Sequence, residues 1–346
     1  MAGFGKMGRI RAQALEAAGA RINCIYDVED APVDGYRRAP SLAALTHDPN
    51  VDAIVICLPN HLNMPTTIAA LQNGKNVFCE KPPCFTSKQM REIIAAERAS
   101  HRVLMYGFNH RHHEAILKMK SLIDSGRFGP ILWMRGRYGK SVDAAYLSTW
   151  RADRALAGGG ILMDQGIHML DLFLHLAGRP FDEVQAMVSS RYWKIRGIED
   201  NVFALFRNSG TGVTVSFHST MTQWRHLFSL EVFLERGYLV LNGLKTSSST
   251  YGEEILTIAK NRTSAPAATF DDEERLHFQT DSSWQREAAQ FLSAIESGIS
   301  PSSGSSSDAL KVMELIDRIY SVNWHHSTTL HSQLLPHKDE ELMEIE

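Results

Sequence analysis

The chain has 346 residues, of which 44% are hydrophobic and 22% are charged, and its formal net charge is −3. This length favours two domains with a sizeable core, and the nearly balanced charge argues against a partner such as nucleic acid or an anionic membrane. No apolar run approaches the ~20 residues that span a membrane, and no apolar segment typical of a signal peptide stands at the N-terminus.

The first predicted element is a glycine-rich turn, Gly3-Phe4-Gly5-Lys6-Met7-Gly8, with the G-x-G-x-x-G spacing of dinucleotide-binding proteins. The first glycine permits a tight turn, the second lets a pyrophosphate approach the backbone, and the third lets a helix pack closely on the sheet. A strand normally precedes this turn, and here only Met1 and Ala2 do. We therefore expect the first strand of the sheet to be truncated, or to be encoded several codons upstream.

A truncated first strand should destabilise the parallel sheet. The strands on either side of it would lose their ladder partner, and their buried backbone groups would go unpaired. We expect a protein without this strand to be unstable or to bind its cofactor poorly, and the addition of about six residues, the length of an ordinary strand, to restore affinity.

The next hundred residues alternate between strand and helix patterns. Helices are predicted over residues 6–19, 64–73 and 86–99, and strands over residues 21–26, 51–57, 76–79 and 102–107. Such alternation is typical of an α/β fold with a doubly wound parallel sheet. We therefore assign residues 1–110 to a Rossmann-like, NAD(P)-binding domain.

The pattern changes after residue 110. Strands are predicted over residues 131–139, 183–194, 200–207, 211–221, 226–235 and 238–243, with helices over 113–125, 160–176, 282–297 and 308–321. Long strand runs with few helices between them predict an α+β domain with a large, mostly antiparallel open sheet. We assign this domain to residues 111–330 and an acidic tail to residues 331–346.

Asp27 ends the second predicted strand, 19 positions after Gly8. An acidic residue about 20 positions after the glycines accepts hydrogen bonds from the adenosine ribose of NAD and repels the additional phosphate of NADP. The alternative is an ordinary loop aspartate. The combination with the glycine spacing favours an NAD site, with NADP less favoured.

Glu80-Lys81-Pro82 follows the strand predicted over residues 76–79. Ligands of doubly wound sheets bind at the carboxyl edge of the strands, where this segment should lie. A partly buried lysine there could polarise or protonate a substrate oxygen. An exposed lysine at a strand end is the structural alternative.

The helix predicted over residues 160–176 carries four polar residues in an otherwise apolar segment. Asp164, His168, Asp171 and His175 recur at spacings of four, three and four, which puts them on one face. Buried carboxylates and imidazoles are costly without partners, so the stripe is expected to line a site. A metal site and a structural stripe remain alternatives. The glycines at 158–160 would allow a ligand or another backbone segment to approach closely.

Several of these motifs together resemble the Gfo/Idh/MocA family of NAD(P)-dependent oxidoreductases. The resemblance spans residues 3–325 and is carried by residues 3–8, 51–60, 80–82, 107–111, 123–129 and 158–171. It implies a Rossmann domain, then a domain whose open sheet builds homodimers or homotetramers. It also implies dehydrogenase activity, with a hydride passing between a nicotinamide and a CH–OH carbon of a sugar or cyclitol.

The resemblance also implies residue roles. Lys81, Asp164 and His168 would be catalytic and contact the substrate, with His168 as the proton acceptor. Trp150 and Arg151 would bind substrate. The cofactor would be held by the glycine turn and by Asp27, Leu58, Pro59, Asn60, Glu80, Lys81 and Asn109. The family often has histidine where this chain has Asn63, so no role is assigned there.

Further segments resemble family members of surface-polysaccharide and nucleotide-sugar pathways. They are residues 108–113, 133–140 and 223–226. Arginine forks suit phosphate, so the cations of this region could meet one, namely Arg135, Arg137, Lys140, Arg151 and Arg225. Ordinary surface ion pairs are the alternative. His110, His112 and His113 are not expected to bind a metal, because adjacent residues of an extended segment face opposite ways.

The predicted function is thus NAD-dependent oxidation of a sugar, cyclitol or nucleotide-sugar. An NAD-assisted glycosidase and a non-catalytic NAD-binding regulatory protein are alternatives, although the retained Lys81, Asp164 and His168 disfavour the latter. Four cysteines without a C-x-x-C pair predict neither zinc nor a disulfide framework and suit a reducing cytoplasm.

Overall fold

The computed structural model describes residues 1–29, 35–246, 248–261 and 268–321. The first part of the chain contains α1 Lys6–Ala17, β1 Cys24–Ile25, β2 Arg37–Arg38, α2 Leu42–His47, β3 Ala53–Ile56, α3 Asn63–Gln72, β4 Asn76–Cys79, α4 Ser87–Ser100 and β5 Leu104–Tyr106. The second part contains α5 Glu114–Asp124, β6 Ile131–Ser141, α6 Arg154–Ala157, α7 Ile167–Ala177, β7 Glu183–Ser189, β8 Asn201–Arg207, β9 Thr214–Thr220, β10 Thr222–Leu234, β11 Gly237–Asn242, β12 Glu254–Lys260, β13 Glu274–Phe278, α8 Ser283–Ser297 and α9 Ser306–Ser321. The predicted tail over residues 331–346 lies outside the described residues.

Residues 1–3 take the central place in the parallel sheet. Ala2 forms parallel bridges to Tyr26, which follows β1, and to β3. Its N–H donates to the carbonyl of Val55 over 2.8 Å, and its carbonyl accepts from the N–H of Cys57 over 2.7 Å. The strand order is therefore β2, β1, residues 1–3, β3, β4, β5. At the level of Ala2 the neighbouring strands keep the ladder partner whose loss was expected.

The far end of this central strand borders a cavity. The ammonium of Met1 donates to the carbonyl of Cys24 over 2.7 Å, and Met1 is 5% exposed. Burial lowers the pKa of this ammonium to about 6. A cavity of about 340 Å³ lies beside it, lined by the end of α1, the approach to β1 and Phe291 of α8. Residues 1–3 thus fill the central strand position next to the glycine turn, and a cavity takes up the other end of that position.

The second sheet has eight strands in the order β13-β12-β11-β10-β6-β9-β8-β7. Its neighbouring strands are antiparallel except β6 and β9, which are parallel. One face packs on α7, where a Cβ on Gly136 of β6 would lie 2.5 Å from the ring of Phe173. The predicted sequence of a Rossmann-like parallel sheet and a large, mostly antiparallel sheet is therefore confirmed.

The last two helices return to the parallel sheet. Phe291 of α8 packs edge to face on Phe78 of β4, with ring centroids 5.5 Å apart. Glu287 of the same helix forms a buried ion pair with Arg11 of α1, which also pairs with Glu80. Because Glu80 precedes Lys81, this network fixes the segment that carries the predicted catalytic lysine. None of the described helices is long and apolar enough to cross a membrane.

Several predictions of local structure were incomplete. β12 and β13, which extend one edge of the large sheet, were not predicted from the sequence, and neither was α2, which lies between β2 and β3. The strand predicted over residues 183–194 ends at Ser189. The helix predicted over residues 160–176 begins as a π-helical turn, Leu162–Gly166, and becomes α-helical only at Ile167. This last difference matters for the site.

Candidate active site

The glycine turn has the geometry that a dinucleotide requires. Gly3 has φ of 88°, and a Cβ there would lie 2.4 Å from the carbonyl oxygen of Cys57. A Cβ on Gly8 would lie 2.2 Å from the carbonyl oxygen of Gly3. A Cβ on Gly5 would meet no described atom within 4 Å. Two glycines are therefore needed for packing, and Gly5 faces open space where a pyrophosphate can approach the backbone.

Asp27 lies directly beside this turn. Its Oδ2 accepts from the N–H of Phe4 over 2.5 Å, and its Oδ1 accepts from the N–H of Glu29 over 3.0 Å. Gly5 caps the 12-residue α1, whose first N–H groups face an incoming anion. The carboxylate at the end of β1 and the helix N-terminus thus fit the ribose and the pyrophosphate of a dinucleotide.

Other residues expected near the cofactor hold segments together. Asn60 donates from its amide to the carbonyl of Ala157 over 2.8 Å. Asn109 contacts Ser283 Oγ at 3.3 Å and His110 Nδ1 at 3.1 Å. Glu80 is committed to Arg11, and Leu58 and Pro59 follow β3 at the carboxyl edge of the sheet. The structure gathers these predicted residues at one edge and gives three of them bracing contacts.

Lys81 follows β4 at the same edge. Its Nζ donates to the backbone carbonyl of Asp164 over 2.5 Å and lies 3.7 Å from Asp164 Oδ1. Burial lowers the pKa of Lys81, and Asp164 opposes that shift. Asn63, to which the sequence analysis assigned no role, braces this segment by donating to the carbonyl of Pro82 over 2.8 Å. The lysine is therefore partly buried and held in place rather than free on the surface.

The π-helical turn places Asp164 opposite Lys81. Ile167 donates its N–H to the carbonyl of Leu162, five residues back, as a π-helix requires. The buried Glu199 fixes the start of the turn, accepting from the N–H groups of Gly160 and Leu162 over 2.8 and 2.9 Å. Tyr320 Oη donates to the same carboxylate over 2.8 Å. Glu199 was not found from the sequence, where no motif marked it.

Three cations surround the carboxylate of Asp164. Lys140 Nζ donates to Oδ2 over 2.8 Å, while Lys81 Nζ and Arg151 Nε lie 3.7 and 3.8 Å from Oδ1. Burial disfavours the carboxylate, but Lys140, Lys81 and Arg151 together hold the pKa of Asp164 far below its usual range. Asp164 is therefore an anion throughout the neutral range. The strand period could have revealed Lys140, which lies on the same face of β6 as the buried Tyr138.

His168 lies close to this cluster but makes a different contact. Its ring stacks on that of His110, with centroids 3.9 Å apart. Burial, then His110 and Lys81, hold the pKa of His168 well below its usual value. Within the part of the chain that the structure describes, Nδ1 of His168 is buried without a hydrogen-bond partner. Asp164 thus pairs with lysines rather than orienting His168, and a neutral imidazole is left to accept a proton.

The predicted polar stripe divides in two. Asp164 and His168 reach the site, whereas Asp171 forms a bidentate ion pair with Arg111, at 2.8 Å and 2.5 Å. The structural alternative is therefore correct for Asp171. Among the described residues no group of three or more histidine, cysteine, aspartate or glutamate side chains could hold a metal ion. The glycines at 158–160 accommodate Phe85, Tyr320 and the backbone of Glu199, so here they serve protein packing.

The histidines at 110–113 were expected to lie in an extended segment, and that expectation was wrong. Residues 109–112 form a 3₁₀ turn, which lets the rings of His110 and His113 lie 5.7 Å apart. His113 pairs with Glu254 over 2.8 Å, and His110 lies against His168. Both ring nitrogens of His110 and the Nδ1 of His113 therefore have protein partners.

The cations proposed to meet a phosphate also separate. Arg135 and Arg137 are exposed on the outer face of the sheet, where Arg135 pairs with Glu231 over 2.7 Å. Arg225 stacks on Trp224, which is 83% exposed. Arg151, which stacks on Trp150, and Lys140 lie at Asp164. The structure thus brings two of the five proposed cations into the site.

Both parts of the chain match known proteins. A family model described as "Oxidoreductase family, NAD-binding Rossmann fold" matches residues 1–108, and one described as "GFO/IDH/MocA C-terminal domain" matches residues 116–240. The 1,5-anhydro-D-fructose reductase of Ensifer adhaerens is 30% identical over 264 residues, which are 76% of this chain and 74% of that protein. The myo-inositol 2-dehydrogenase of Thermotoga maritima is 24% identical over 268 residues, 73% of this chain and 77% of that protein.

Solved structures share the fold over nearly the whole chain. Levoglucosan dehydrogenase in complex with NADH and levoglucosan has a TM-score of 0.81 at 24% identity, covering 93% of this chain and 95% of that one. A 3-ketoreductase of Actinomadura kijaniata, solved with NADP and TDP-benzene, has a TM-score of 0.78 at 22% identity, covering 92% and 95%. At these identities the likeness shows the shared two-part architecture.

Proposed function

This chain belongs to the Gfo/Idh/MocA family of oxidoreductases, with an NAD-binding Rossmann fold, and from that premise we propose that it is a dehydrogenase of sugar-type substrates. The reaction is hydride transfer between NAD and a secondary hydroxyl or ketone carbon of a sugar, a cyclitol or a nucleotide-sugar. The observation that supports the proposal is the meeting of Lys81, Asp164 and the neutral imidazole of His168 at the sheet edge that also holds the glycine turn.

The residues that would hold the cofactor fit it. The open space at Gly5 and the N-terminus of α1 suit the pyrophosphate, and the carboxylate of Asp27 suits a ribose diol. The same carboxylate would repel the phosphate that distinguishes NADP, which supports NAD as the preferred cofactor. A bound nicotinamide supplies the hydride acceptor for oxidation and the hydride donor for reduction.

The chain itself handles the proton. The ammonium of Lys81 polarises the substrate oxygen, and the neutral imidazole of His168 accepts the hydroxyl proton. Asp164 positions Lys81 through its backbone carbonyl and stabilises the positive charge of Lys81 and Lys140. Trp150 and Arg151 stand beside these groups and bind the substrate.

We also infer that the protein is a homodimer or homotetramer. The solvent face of the large sheet carries apolar side chains, including Trp133, stacked on Phe233 with centroids 5.1 Å apart, and the exposed Phe203, Leu205 and Met187. A self-associating face would cover them. Light scattering after gel filtration tests this, and a monomer at micromolar concentration would contradict it. Cys24, Cys57, Cys79 and Cys84 are free thiols, which supports action in the cytoplasm.

A substrate screen tests the function. Sugars, cyclitols and nucleotide-sugars are offered with NAD and with NADP, and nicotinamide reduction is followed by absorbance. Net NADH formation supports a dehydrogenase, and a strong NADP preference contradicts the role of Asp27. Glycosidic cleavage without net NADH identifies an NAD-assisted glycosidase. NAD binding without any turnover identifies a regulatory protein.

A further inference from the structure

We propose that the substrate carries an anionic group, a carboxylate or a phosphate, and that Arg151 binds it with the help of Lys140. The proposal rests on the dehydrogenase function and narrows its substrate class. Two observations support it. The cations around the carboxylate of Asp164 outnumber it, and the guanidinium of Arg151 is held in position without a hydrogen bond.

The charge surplus follows from the contacts of Asp164. Lys140 takes Oδ2 at 2.8 Å, whereas Lys81 and Arg151 lie beyond hydrogen-bond distance from Oδ1, at 3.7 and 3.8 Å. One carboxylate balances one of the three cations, so two formal positive charges remain. In a partly buried site such a surplus favours an anionic ligand.

Two other buried carboxylates of this region already have partners. Glu199 accepts from two backbone N–H groups and from Tyr320, and burial raises its pKa. Glu80 pairs with Arg11, which also pairs with Glu287, and the charge of Glu80 acts on Lys81 rather than on Arg151 or Lys140. The pyrophosphate of a dinucleotide is accommodated by the glycine turn at Gly5. The surplus charge is therefore left to the substrate.

Arg151 is arranged to receive an anion. Its guanidinium carbon lies 4.3 Å from the ring centroid of Trp150, and its side chain is 38% exposed. The backbone carbonyl of Arg151 accepts from the hydroxyl of Tyr146 over 3.3 Å, which fixes the start of the side chain. Among the described residues the guanidinium of Arg151 makes no hydrogen bond, so its planar fork is available for bidentate contact.

Lys140 reaches the same space from β6. Its side chain is 22% exposed and spends one hydrogen bond on Asp164. His226 lies close by and accepts from the N–H of Ser141 over 3.4 Å, and burial, then the charge of Lys140, lower the pKa of His226. An ammonium and a guanidinium on either side of Asp164 can therefore approach one anionic group together.

The test compares one neutral and two anionic classes of sugar. Methyl glucopyranoside is neutral, glucuronate carries a carboxylate, and glucose 6-phosphate and UDP-glucose carry phosphate. We measure kcat/KM for each with NAD, and we measure binding of each to the NADH-loaded protein by calorimetry. We expect at least one anionic class to exceed the neutral sugar about tenfold or more, and the class that does so identifies the anion.

Variants connect that preference to Arg151. Arg151→Met should lower the anionic-to-neutral ratio about tenfold to hundredfold, in kcat/KM and in affinity, and Arg151→Lys should retain part of it. Arg127→Met is the matched control, because Arg127 also stacks on an aromatic ring, that of Phe128, beyond the opposite end of β6. The control should leave the ratio unchanged.

The outcomes separate this inference from the function on which it rests. Equal turnover of neutral and anionic sugars, or an equal loss for both in Arg151→Met, would overturn the anion site while leaving the dehydrogenase intact. If no sugar is turned over, the dehydrogenase proposal fails. Calorimetry still decides the anion site in that case, because Arg151-dependent binding of anionic sugars supports it and its absence refutes it.

Discussion

The imidazole of His168 lies face to face with that of His110, with centroids 3.9 Å apart and ring planes inclined by 16°. His110 is held on its other sides by Asn109 at Nδ1 and by the hydroxyl of Tyr138 at Nε2, over 3.1 and 2.9 Å. Two buried imidazoles in this arrangement cannot both become positively charged imidazolium ions without a large free-energy penalty. Burial, and then His110 and the nearby Lys81, therefore lower the pKa of His168 and keep it neutral.

A pH profile tests this relationship. The pKa of His168 is well below 6.5, so the base stays unprotonated and kcat/KM for oxidation should not fall as the pH drops through 6.5. His110→Phe keeps an aromatic ring but removes a neighbouring group whose protonation competes with that of His168. We expect the pKa of His168 to rise and the acid limb to move to higher pH. His277→Phe, an exposed histidine on β13, is the control, and equal limbs in all three proteins would contradict the account.

Removal of the proposed catalytic groups should separate chemistry from binding. Lys81→Met and His168→Ala should each lower kcat about a hundredfold to ten-thousandfold, the range of general acid–base catalysis. Neither side chain forms the glycine turn, so NADH affinity should change little. Fluorescence titration measures the affinity and absorbance measures kcat. Near-normal rates in both variants would refute their assignment.

Two glycines of the cofactor turn should respond differently to the same added methyl group. Gly8→Ala would press a Cβ on the carbonyl of Gly3, which should destabilise the fold by about 1–3 kcal/mol. Gly5→Ala enters open space and should fold normally. It should weaken NAD about tenfold or more, because 1.4 kcal/mol of lost contact is a factor of ten. Thermal unfolding and NADH titration distinguish the two effects, and identical behaviour would argue against the assigned cofactor approach.

Glu199 should act on catalysis through the π-helical turn. A glutamine offers one acceptor oxygen in place of two, so Glu199→Gln should leave a buried N–H of Gly160 or Leu162 unpaired, at a cost of about 1–3 kcal/mol. We expect a lower kcat, because Asp164 moves relative to Lys81, with NADH affinity retained. Tyr320→Phe removes one donor to the same carboxylate and should have a smaller effect. A stability loss with unchanged kcat would limit Glu199 to a structural role.

The sequence predicted those features whose cause is local. The roles of Gly3, Gly5 and Gly8 follow from the room available around each Cα, and β3 and β4 were visible as apolar runs. The edge position of Lys81 followed from its place after a buried strand. These features depend on near neighbours in the chain, which the amino-acid order displays directly.

Features that depend on distant partners could not be predicted. Spacings of four and three implied a regular helix from residue 160, but Glu199 holds the backbone there in a π-helical turn from almost 40 positions away. Asp171 resembled Asp164 in the pattern and differs from it because Arg111 lies opposite. Lys140 is the main partner of Asp164 because the fold places β6 against the π-helical turn. Such assignments require the fold.

Two backbone amides of the central strand offer a local measure of how firmly the glycine turn is held. The N–H of Ala2 donates to Val55 and the N–H of Gly3 donates to Tyr26, so each exchanges with solvent only when this strand parts from its neighbours. Hydrogen exchange at these two amides therefore measures the opening of the strand that supports the glycine turn, and NAD should slow it.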